Sequence, residues 1–464
     1  MKFKKNDTVT LNIESVTNLG FGVGRYDGQV IFVSDAVTGD TVQVKIIKCA
    51  SSYLVGRVEK YVSRSALRDE YRCANIRCKS CAYRCLSYAE ESRIKRESVI
   101  SAFRKCGLSD VMVGDLISSP AIHGYRNKAQ YPIAKGKDGE YEIGFFAPKS
   151  HRVTEAADCP LSPSVFTEIL NTLRAFFKKH EISVYDEVSG KGLLRHVYLR
   201  RGEISGEVLL TLVINGSSIP HSSELVELIR AEYSNVVGIL LNENCESTNV
   251  VLGDKYTTLW GKDHITDTLA GVKLKITAPS FYQVNHDCAE ILYSKAKELA
   301  ELRSDDVLLD LYCGAGSIGL SMAKECKEII GIEIVDSAVE CARLNAKENG
   351  ILNASFYTGD ATDSEKLLEN AERTRGEKIK PNVVILDPPR AGTSERLISF
   401  IASLAPERVV YVSCNPQTLA RDTAEFIKHG YAPGVVTPVD MFPMTGHVES
   451  VVCLTRRLAV EMRR

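Results

Sequence analysis

The regular alternation of strand and helix patterns after residue 285 is the feature that most constrains the fold of this chain. Short apolar runs typical of buried strands alternate with segments of helical periodicity, and this order predicts a parallel sheet with helices on both faces. We therefore expect a doubly wound, Rossmann-like α/β domain at residues 285–464. The predicted strands are Val307–Leu311, Glu328–Ile334, Val383–Leu386 and Val409–Val412, and the predicted helices are Ser317–Lys324 and Ser337–Asn349.

A glycine-rich loop joins the first of these strands to the first helix. Gly314, Gly316 and Gly319 fit the pattern G-x-G-x-x-G, in which glycines let the backbone approach a bound ligand closely. Glu333 follows about 20 residues after the first glycine, a spacing that suits an acidic residue on a ribose hydroxyl. The pattern does not separate a dinucleotide from S-adenosylmethionine, and a merely tight strand-to-helix turn is the alternative.

Two polar motifs follow later strands of the same domain. Asp387 comes directly after one strand, and two prolines fix the backbone behind it. Cys414 comes within two residues of another strand, so its thiol should lie at the sheet edge where ligands bind in open α/β sheets. Packing is the alternative for Cys414, because free cysteine is among the most buried residue types. Glu449 by itself would be interpreted as exposed, and sequence spacing does not reveal its distance from Cys414.

Residues 1–62 show short strands separated by glycine-containing turns. The pairs Asp27-Gly28 and Gly39-Asp40 are typical of hairpins, and strands this short and numerous predict a small barrel. This region resembles a TRAM domain, an RNA-binding module of the OB-like kind. The predicted strands are Val9–Val16, Phe21–Tyr26, Val30–Val33, Thr41–Lys48 and Leu54–Val62.

Residues 63–284 are predicted to form a central α+β domain. Between residues 71 and 130 there are 11 Lys and Arg against 5 Asp and Glu, an excess that suits an RNA-binding surface but also an ordinary solvated face. Tyr88–Cys106 has apolar positions near helical spacing with basic residues between them, which predicts a surface helix with a basic face. Further predictions are a hairpin from Tyr125–Ile133 and Glu140–Phe146, a helix at Pro163–His180 and a strand at Val208–Ile214.

Length and composition limit the class of protein. A chain of 464 residues exceeds the size at which one core stops growing, so several domains are expected, and the net charge of −1 does not mark the whole chain as a nucleic-acid binder. The N-terminal segment lacks the apolar core of a signal peptide, and no apolar run reaches the length of a membrane span. We therefore expect a cytoplasmic protein whose 14 cysteines are reduced.

A group of cysteines in the central region has the spacing of metal ligands. Cys73, Cys78 and Cys81 are separated by four and two residues, and Cys159 offers a distant fourth thiolate. Four thiolates suit either zinc or an iron-sulfur cluster. Cys85 is a rival ligand, ranked below Cys159. A radical enzyme that pairs a cluster with such a barrel is disfavoured, because its three-cysteine motif has gaps of three and two residues.

Four motifs in this order resemble the RNA uracil-C5 methyltransferase family. They are Asp310-Leu311-Tyr312-Cys313-Gly314, Asp387-Pro388-Pro389-Arg390, Ser413-Cys414-Asn415-Pro416 and His447-Val448-Glu449-Ser450. The resemblance extends to Ser280–Asn285, to Tyr125–Lys128 and to Leu194–His196, and so covers nearly the whole chain.

The resemblance implies a reaction and a set of site residues. Uracil C5 becomes nucleophilic only after a thiolate adds to C6, a role that falls to Cys414, and a carboxylate must then remove the C5 proton, a role that falls to Glu449. Arg390 and nearby backbone donors are the candidates for stabilising the enolate oxygen. The residues implied to contact S-adenosylmethionine or its surroundings are Gln283, Tyr312, Glu333, Asp360 and Asp387.

The resemblance also implies a cluster and an RNA target. The iron-sulfur branch of the family favours a [4Fe-4S] cluster on Cys73, Cys78, Cys81 and Cys159, with zinc as the alternative, although the first gap is one residue shorter than the family pattern. Barrel and cluster together imply 23S ribosomal RNA, with a tRNA T-loop as the alternative target. A cytosine-C5 methyltransferase and a non-catalytic RNA-binding or ribosome-assembly protein are competing interpretations. No obligate protein partner is evident, and we expect a monomer.

Overall fold

The computed structural model of the chain describes residues 3–69, 73, 78–148, 150–155, 159–247 and 249–457. These residues form a six-stranded, a seven-stranded and an eight-stranded sheet together with a separate two-stranded hairpin. Among the described helices, none combines the length and the apolar character needed to cross a membrane. Residues 1–2 and 458–464, which belong to the first and last predicted domains, lie outside the described residues.

The first sheet forms the predicted small barrel. Its strands follow the order β1-β5-β6-β4-β3-β2, and the Glu14 N–H donates to the Val23 carbonyl at 2.7 Å, which joins the β1–β2 segment to β3. The predicted strand Val9–Val16 is divided in two, because Ile13 still bonds on the β5 side, to the Asp40 carbonyl, whereas Glu14 turns to Val23 of β3. The strands are β1 Thr8–Asn12, β2 Ser15–Val16, β3 Phe21–Tyr26, β4 Gln29–Ser34, β5 Thr41–Cys49 and β6 Leu54–Ser63.

The helix that follows the barrel, α1 (Tyr88–Lys105), differs from the prediction of a surface helix with a basic face. Val99, Ala102 and Phe103 are buried in the core of the last sheet. Lys95 is also fully buried, in ion pairs with two carboxylates. The basic residues of this helix therefore do not form one solvated face, since tertiary contacts take one of them into the interior.

The second sheet has the order β13-β12-β11-β10-β7-β8-β9 and carries α2 and α3 against one face. The predicted hairpin is present, with Ile133 opposite Ile143 in an antiparallel pair. The elements are β7 Lys128–Lys135, β8 Tyr141–Phe146, β9 Val153–Glu155, α2 Ser164–Lys179, β10 Leu194–Arg201, β11 Val208–Ile214, α3 Ser222–Glu232, β12 Val236–Glu243 and β13 Lys255–Gly261.

The last sheet has the order β18-β17-β16-β19-β20-β23-β21, with β22 paired to β23. The hairpin β14–β15 packs in its core together with α4. The elements are β14 His264–Leu269, β15 Val272–Thr277, α4 His286–Ala300, β16 Val307–Leu311, α5 Ser317–Ser321, β17 Glu328–Glu333, α6 Asp336–Glu348, β18 Ala354–Thr358, a 3₁₀ turn Ala361–Asp363, α7 Ser364–Arg375, β19 Val383–Leu386, α8 Glu395–Leu404, β20 Arg408–Ser413, α9 Pro416–Lys428, β21 Tyr431–Pro433, β22 Thr437–Val439 and β23 Glu449–Arg456.

The prediction of a parallel sheet is right for β16 to β20 and wrong for β23. Strand β23 runs antiparallel to β20, and β21 and β22 run antiparallel to β23. The chain enters β23 from the short strand β22 without a helical crossover, and only parallel neighbours require such a crossover. Helices α4 and α6 cover one face of the sheet, while α1, α8 and α9 cover the other.

Candidate active site

The parallel strands of the last sheet end at the same level, which gathers the predicted residues at one edge. Leu311 pairs with Ile332 on one side and with Leu386 on the other. The residues that follow these three are Tyr312, Glu333 and Asp387. We call this group, together with Asp360 beyond β18, the strand-end edge.

The glycine loop after β16 has a conformation that larger residues resist. Gly314 and Gly316 have φ of 55° and 80°, and a Cβ on Gly314 would meet nothing within 4 Å, so that side of the loop is open to a ligand. A Cβ on Gly319 would lie 2.7 Å from Asp310 Oδ2, whose carboxylate accepts the Gly319 N–H at 3.0 Å. Tyr312, a non-glycine residue, has φ of 64°, a strained conformation of the kind that clusters at functional sites.

Two carboxylates of the strand-end edge hold backbone near the loop. Glu333 accepts the N–H groups of Gly314 at 3.1 Å and Val335 at 2.9 Å. Asp360 is exposed and accepts the N–H and hydroxyl of Thr362, each at 2.8 Å, and these hydrogen bonds lower its pKa. Glu333 therefore ties the glycine loop to the end of the next strand.

Gln283 lies on the segment that leads into α4. Its side chain is buried, and its backbone carbonyl accepts the Asn127 side-chain N–H at 2.8 Å. The Asn127 N–H donates to the Val284 carbonyl at 3.0 Å, so the segment is fastened to the central sheet. In the described part of the chain, no hydrogen bond joins the Gln283 side chain to the strand-end edge.

Cys414 and Glu449 lie side by side because β20 and β23 are antiparallel. Ser413 pairs with Ser450, so Cys414 and Glu449 are the next residues along the two strands. Glu449 is only 5% exposed, which contradicts the interpretation of an exposed glutamate, whereas Cys414 keeps part of its surface open. The alternative of a cysteine that merely fills the core does not describe this position.

The motif around Cys414 forms a rigid turn into α9. Asn415 caps the helix by accepting the Gln417 N–H at 3.1 Å, and Pro416 occupies the first turn. The Asn415 side chain also donates to the Arg390 carbonyl at 2.9 Å, which joins this turn to the segment after Asp387. The thiol is thus held next to a helix N-terminus.

Three ionisable groups here have raised pKa values. Desolvation raises the pKa of Asp387 to about 7, although part of its surface reaches solvent. Desolvation and then Asp387 raise the pKa of Glu449 to about 8, and Arg390 opposes them. Desolvation and then Glu449 raise the pKa of the Cys414 thiol, again opposed by Arg390. Perturbed groups that interact with one another at a sheet edge indicate a candidate functional site.

Two further contributors to the site were not predicted as site residues, although Asp310 lies in one of the four family motifs. Asp310 is buried below the glycine loop, and desolvation raises its pKa to about 7. Tyr293 is buried on α4 and shares a hydrogen bond of 2.9 Å with Ser317 at the start of α5. Tyr293 sits at a helical core position in the sequence, so only the need of a buried tyrosine hydroxyl for a hydrogen-bond partner could have suggested this contact.

The four predicted cysteine ligands are electrostatic neighbours. Burial raises the pKa of Cys81 to about 12, with further contributions from Cys159, Cys78 and Cys73. Cys81 and Cys159 pack beside Tyr125, Leu161 and Met444. Three cysteines from one short segment and one from a distant segment therefore lie near enough to interact electrostatically.

Cys85 belongs to different surroundings. It is buried with Val37, Tyr83 and Ile94, and its charge interactions are with Tyr61 and Arg68. It is absent from the charges that act on Cys81. These surroundings favour Cys159 over Cys85 as the fourth ligand.

The fold and the site together are those of an S-adenosylmethionine-dependent methyltransferase, with a nucleotide-type loop beside a thiol and a carboxylate. The family model for tRNA (uracil-5-)-methyltransferase matches residues 88–457, and the TRAM domain model matches residues 2–58. The chain belongs to this family, so it is an RNA (uracil-5-)-methyltransferase.

Relatives agree with this assignment over almost their full length. An uncharacterized RNA methyltransferase of Clostridium tetani is 39% identical over 97% of both chains, and one of Clostridium acetobutylicum is 38% identical over 98% of both. Among solved structures, a Pyrococcus abyssi tRNA (uracil-54, C5)-methyltransferase in complex with S-adenosyl-L-homocysteine is 27% identical, with a TM-score of 0.76. That match covers 96% of this chain and 100% of that one.

Proposed function

We propose that the protein converts a uridine in RNA to 5-methyluridine through covalent addition of Cys414 to uracil C6 and proton removal by Glu449. One observation carries the proposal: the thiol and the carboxylate occupy neighbouring positions at the ends of β20 and β23. A nucleophile and a base so placed can act on two adjacent carbons of one ring.

The steps follow from the two side chains. The Cys414 sulfur forms a bond to C6, and the displaced electron pair makes C5 nucleophilic. Once C5 has bonded to the transferred methyl group, Glu449 accepts the C5 proton, the C5–C6 double bond re-forms, and the carbon–sulfur bond breaks to release the thiolate. Arg390, whose charge lowers the pKa of Cys414, favours the thiolate and is also our candidate for stabilising the enolate oxygen.

S-adenosylmethionine would lie at the strand-end edge. Its chemistry when bound is to supply the electrophilic methyl group. Glu333 and the open side of Gly314 suit the nucleoside part, while Asp387 lies between this edge and Cys414. Tyr312, Asp360 and Gln283 complete the proposed cofactor contacts.

For the cysteine centre we propose a [4Fe-4S] cluster with a structural role, held by Cys73, Cys78, Cys81 and Cys159. The grouping of these four thiols supports a four-thiolate centre, and the resemblance to the iron-sulfur branch favours iron over zinc. Anaerobically purified protein should contain iron and sulfide, and replacement of Cys81 by Ser should remove them while Cys85→Ser should not. Stoichiometric zinc without iron would overturn the proposal.

As the RNA target we propose 23S ribosomal RNA, modified in the cytoplasm by a monomer whose barrel and central domain (residues 63–284) grip the RNA around an unstacked uridine. The barrel together with the cysteine centre supports this target. A tRNA T-loop is the second candidate, because the Pyrococcus abyssi enzyme acts on uracil-54 of tRNA. That match covers 96% of this chain, so the barrel alone does not separate the two targets.

Nucleoside mass spectrometry tests the proposal. The protein is incubated with S-adenosylmethionine and either unmodified 23S ribosomal RNA or unmodified tRNA. We expect 5-methyluridine in the ribosomal sample, whereas 5-methyluridine only in the tRNA sample would establish the second candidate. 5-Methylcytidine without 5-methyluridine would indicate cytosine chemistry. No product with either RNA would favour a non-catalytic RNA-binding protein.

A further inference from the structure

The segment that delivers Glu449 to the site has no regular structure of its own. Residues 440–448, here called the base loop, lie between β22 and β23. Met444 within it has φ of 68°, a conformation that costs a non-glycine residue energy and persists only where surrounding contacts hold it. The contacts that hold the base loop in place therefore affect the position of Glu449.

A buried group of three charges on α1 and the base loop, here called the ion trio, provides part of this support. Lys95 Nζ lies 2.7 Å from Glu91 Oε1 and 2.6 Å from Asp440 Oδ1, and the three side chains are fully buried. The same ammonium donates to the Phe442 carbonyl at 3.0 Å. Glu91 Oε1 also accepts the Met444 N–H at 2.7 Å. Two charged side chains of α1 thus bind backbone on both sides of Pro443.

Stability alone does not account for the ion trio. Buried ion pairs are often no more stabilising than well-packed apolar residues of similar volume, because desolvation offsets the attraction. An apolar side chain, however, could neither donate to the Phe442 carbonyl nor accept the Met444 N–H. The charges therefore supply what packing cannot, a defined path for the backbone that leads to Glu449.

Other segments that are distant in the sequence also contact the base loop. The Tyr83 N–H donates to the Met444 carbonyl at 2.9 Å, and the Tyr125 hydroxyl donates to the Pro443 carbonyl at 3.0 Å. On the barrel side, a Cβ on Gly446 would lie only 1.7 Å from the Asn18 carbonyl oxygen. Cys414, by contrast, is held by the Asn415 cap and its bond to the Arg390 carbonyl, although the Arg390 guanidinium also lies 3.4 Å from the ring nitrogens of His447 in the base loop.

We propose that Lys95, together with Glu91 and Asp440, positions Glu449 for the proton-removal step. In this assignment Lys95 is a positioning residue that does not touch the RNA. The inference rests on the proposed function. If the ion trio is disrupted, Cys414 should still add to C6, but the C5 proton should pass to Glu449 slowly, so the carbon–sulfur bond should persist.

The experiment measures the two halves of the reaction separately in the full chain. RNA containing 5-fluorouridine reports addition. Its C5 carries fluorine in place of the proton that the base removes, so elimination is blocked and the protein–RNA adduct is trapped. Ordinary RNA reports elimination, because an adduct on a denaturing gel accumulates only when proton removal is slow. The variants are Lys95→Met, Glu91→Leu and the conservative Glu91→Gln, which keeps an oxygen for the Met444 N–H. Glu97→Leu on the exposed side of α1 is the matched control.

We expect Lys95→Met and Glu91→Leu to lower turnover about 10- to 100-fold and to accumulate adduct with ordinary RNA, while addition to 5-fluorouridine RNA stays within about twofold. Glu91→Gln should recover most of the turnover, and Glu97→Leu should behave as wild type. If Lys95→Met does not fold, the Glu91 pair decides alone. Equal losses in both halves, or unchanged turnover in folded Glu91→Leu, would overturn the inference. A wild-type protein that forms no adduct and no 5-methyluridine would instead reject the proposed function.

Discussion

The strand-end edge and the base loop lie on either side of Cys414, yet they are built in different ways. Each residue of the edge follows its own parallel strand, and the register of the sheet aligns the strand ends. The base loop gets its shape from contacts with α1, with Tyr83 near the predicted cysteine ligands, and with the barrel. A binding surface can thus rest on a regular framework, while the placement of the base depends on segments distant in the sequence.

The comparison assumes that the strand-end edge and the base loop both act on the intermediate that Cys414 forms. Removal of the Cys414 thiol should therefore have the largest effect. We expect Cys414→Ala to lower methylation by at least about 1,000-fold, because Cys414 is the thiol that lies beside Glu449 in the described part of the chain. Formation of 5-methyluridine and of the 5-fluorouridine adduct are the measurements. S-adenosylmethionine binding by calorimetry serves as the control and should be retained. Methylation that persists in this variant would contradict the mechanism.

Removal of the base should separate the two halves of the reaction. Glu449→Gln should lower turnover about 100- to 10,000-fold, because an amide cannot accept the C5 proton. The protein–RNA adduct with ordinary RNA should accumulate on a denaturing gel. Loss of the adduct together with turnover would mean that Glu449 is needed before proton removal.

A single methyl group at Gly446 should disturb the base loop alone. In Gly446→Ala the new Cβ would lie 1.7 Å from the Asn18 carbonyl oxygen, so the barrel or the loop must move. We expect kcat to fall about 10-fold to 100-fold with accumulation of adduct, since small misplacements of a catalytic group are costly. The dissociation constant of S-adenosylmethionine should not change. Gly434→Ala, whose new Cβ would come no closer than 3.4 Å to the Cys453 carbonyl, is the matched control.

The converse substitution should disturb the strand-end edge alone. In Gly319→Ala the Cβ would lie 2.7 Å from Asp310 Oδ2 and push against the turn beneath the glycine loop. We expect S-adenosylmethionine to bind about tenfold more weakly, equivalent to about 1.4 kcal/mol, a typical cost of overpacking. At saturating S-adenosylmethionine no adduct should accumulate. Adduct accumulation here would show that the two regions are not independent.

The smallest expected effect concerns stability and pH. The pKa of Glu449 is raised from 4.5 to about 8 by desolvation, so its ionisation opposes folding. The contribution of the neutral Glu449 carboxyl to the free energy of unfolding is therefore complete below about pH 4.5. It is lost as the pH rises toward and through 8. Glu449→Gln should melt near the wild-type temperature at pH 5 and several degrees above it at pH 8. Equal melting temperatures at both pH values would contradict a desolvated carboxyl.

Local patterns predicted most of the strand-end edge because each of its residues is adjacent to a strand. The strands Val307–Leu311 and Val383–Leu386 were predicted with their observed bounds, and both are apolar runs whose burial is a property of the segment itself. Helix α5 is shorter than predicted and ends at Ser321, because 3₁₀-type bonds from Met322 to Gly319 close its last turn. Such endings depend on packing rather than on periodicity.

The sequence by itself determined the α/β pattern, the glycine loop and the chemical types needed at the site, because these depend on residues close together in the chain. Tertiary structure alone decided that β23 runs antiparallel to β20, and this pairing brings Glu449 to Cys414 across 35 residues of chain. It also decided that Lys95, one of several basic residues on α1, is buried between Glu91 and Asp440. Charge and spacing indicate which partners a residue can have, but the partner that it contacts depends on how the chain packs.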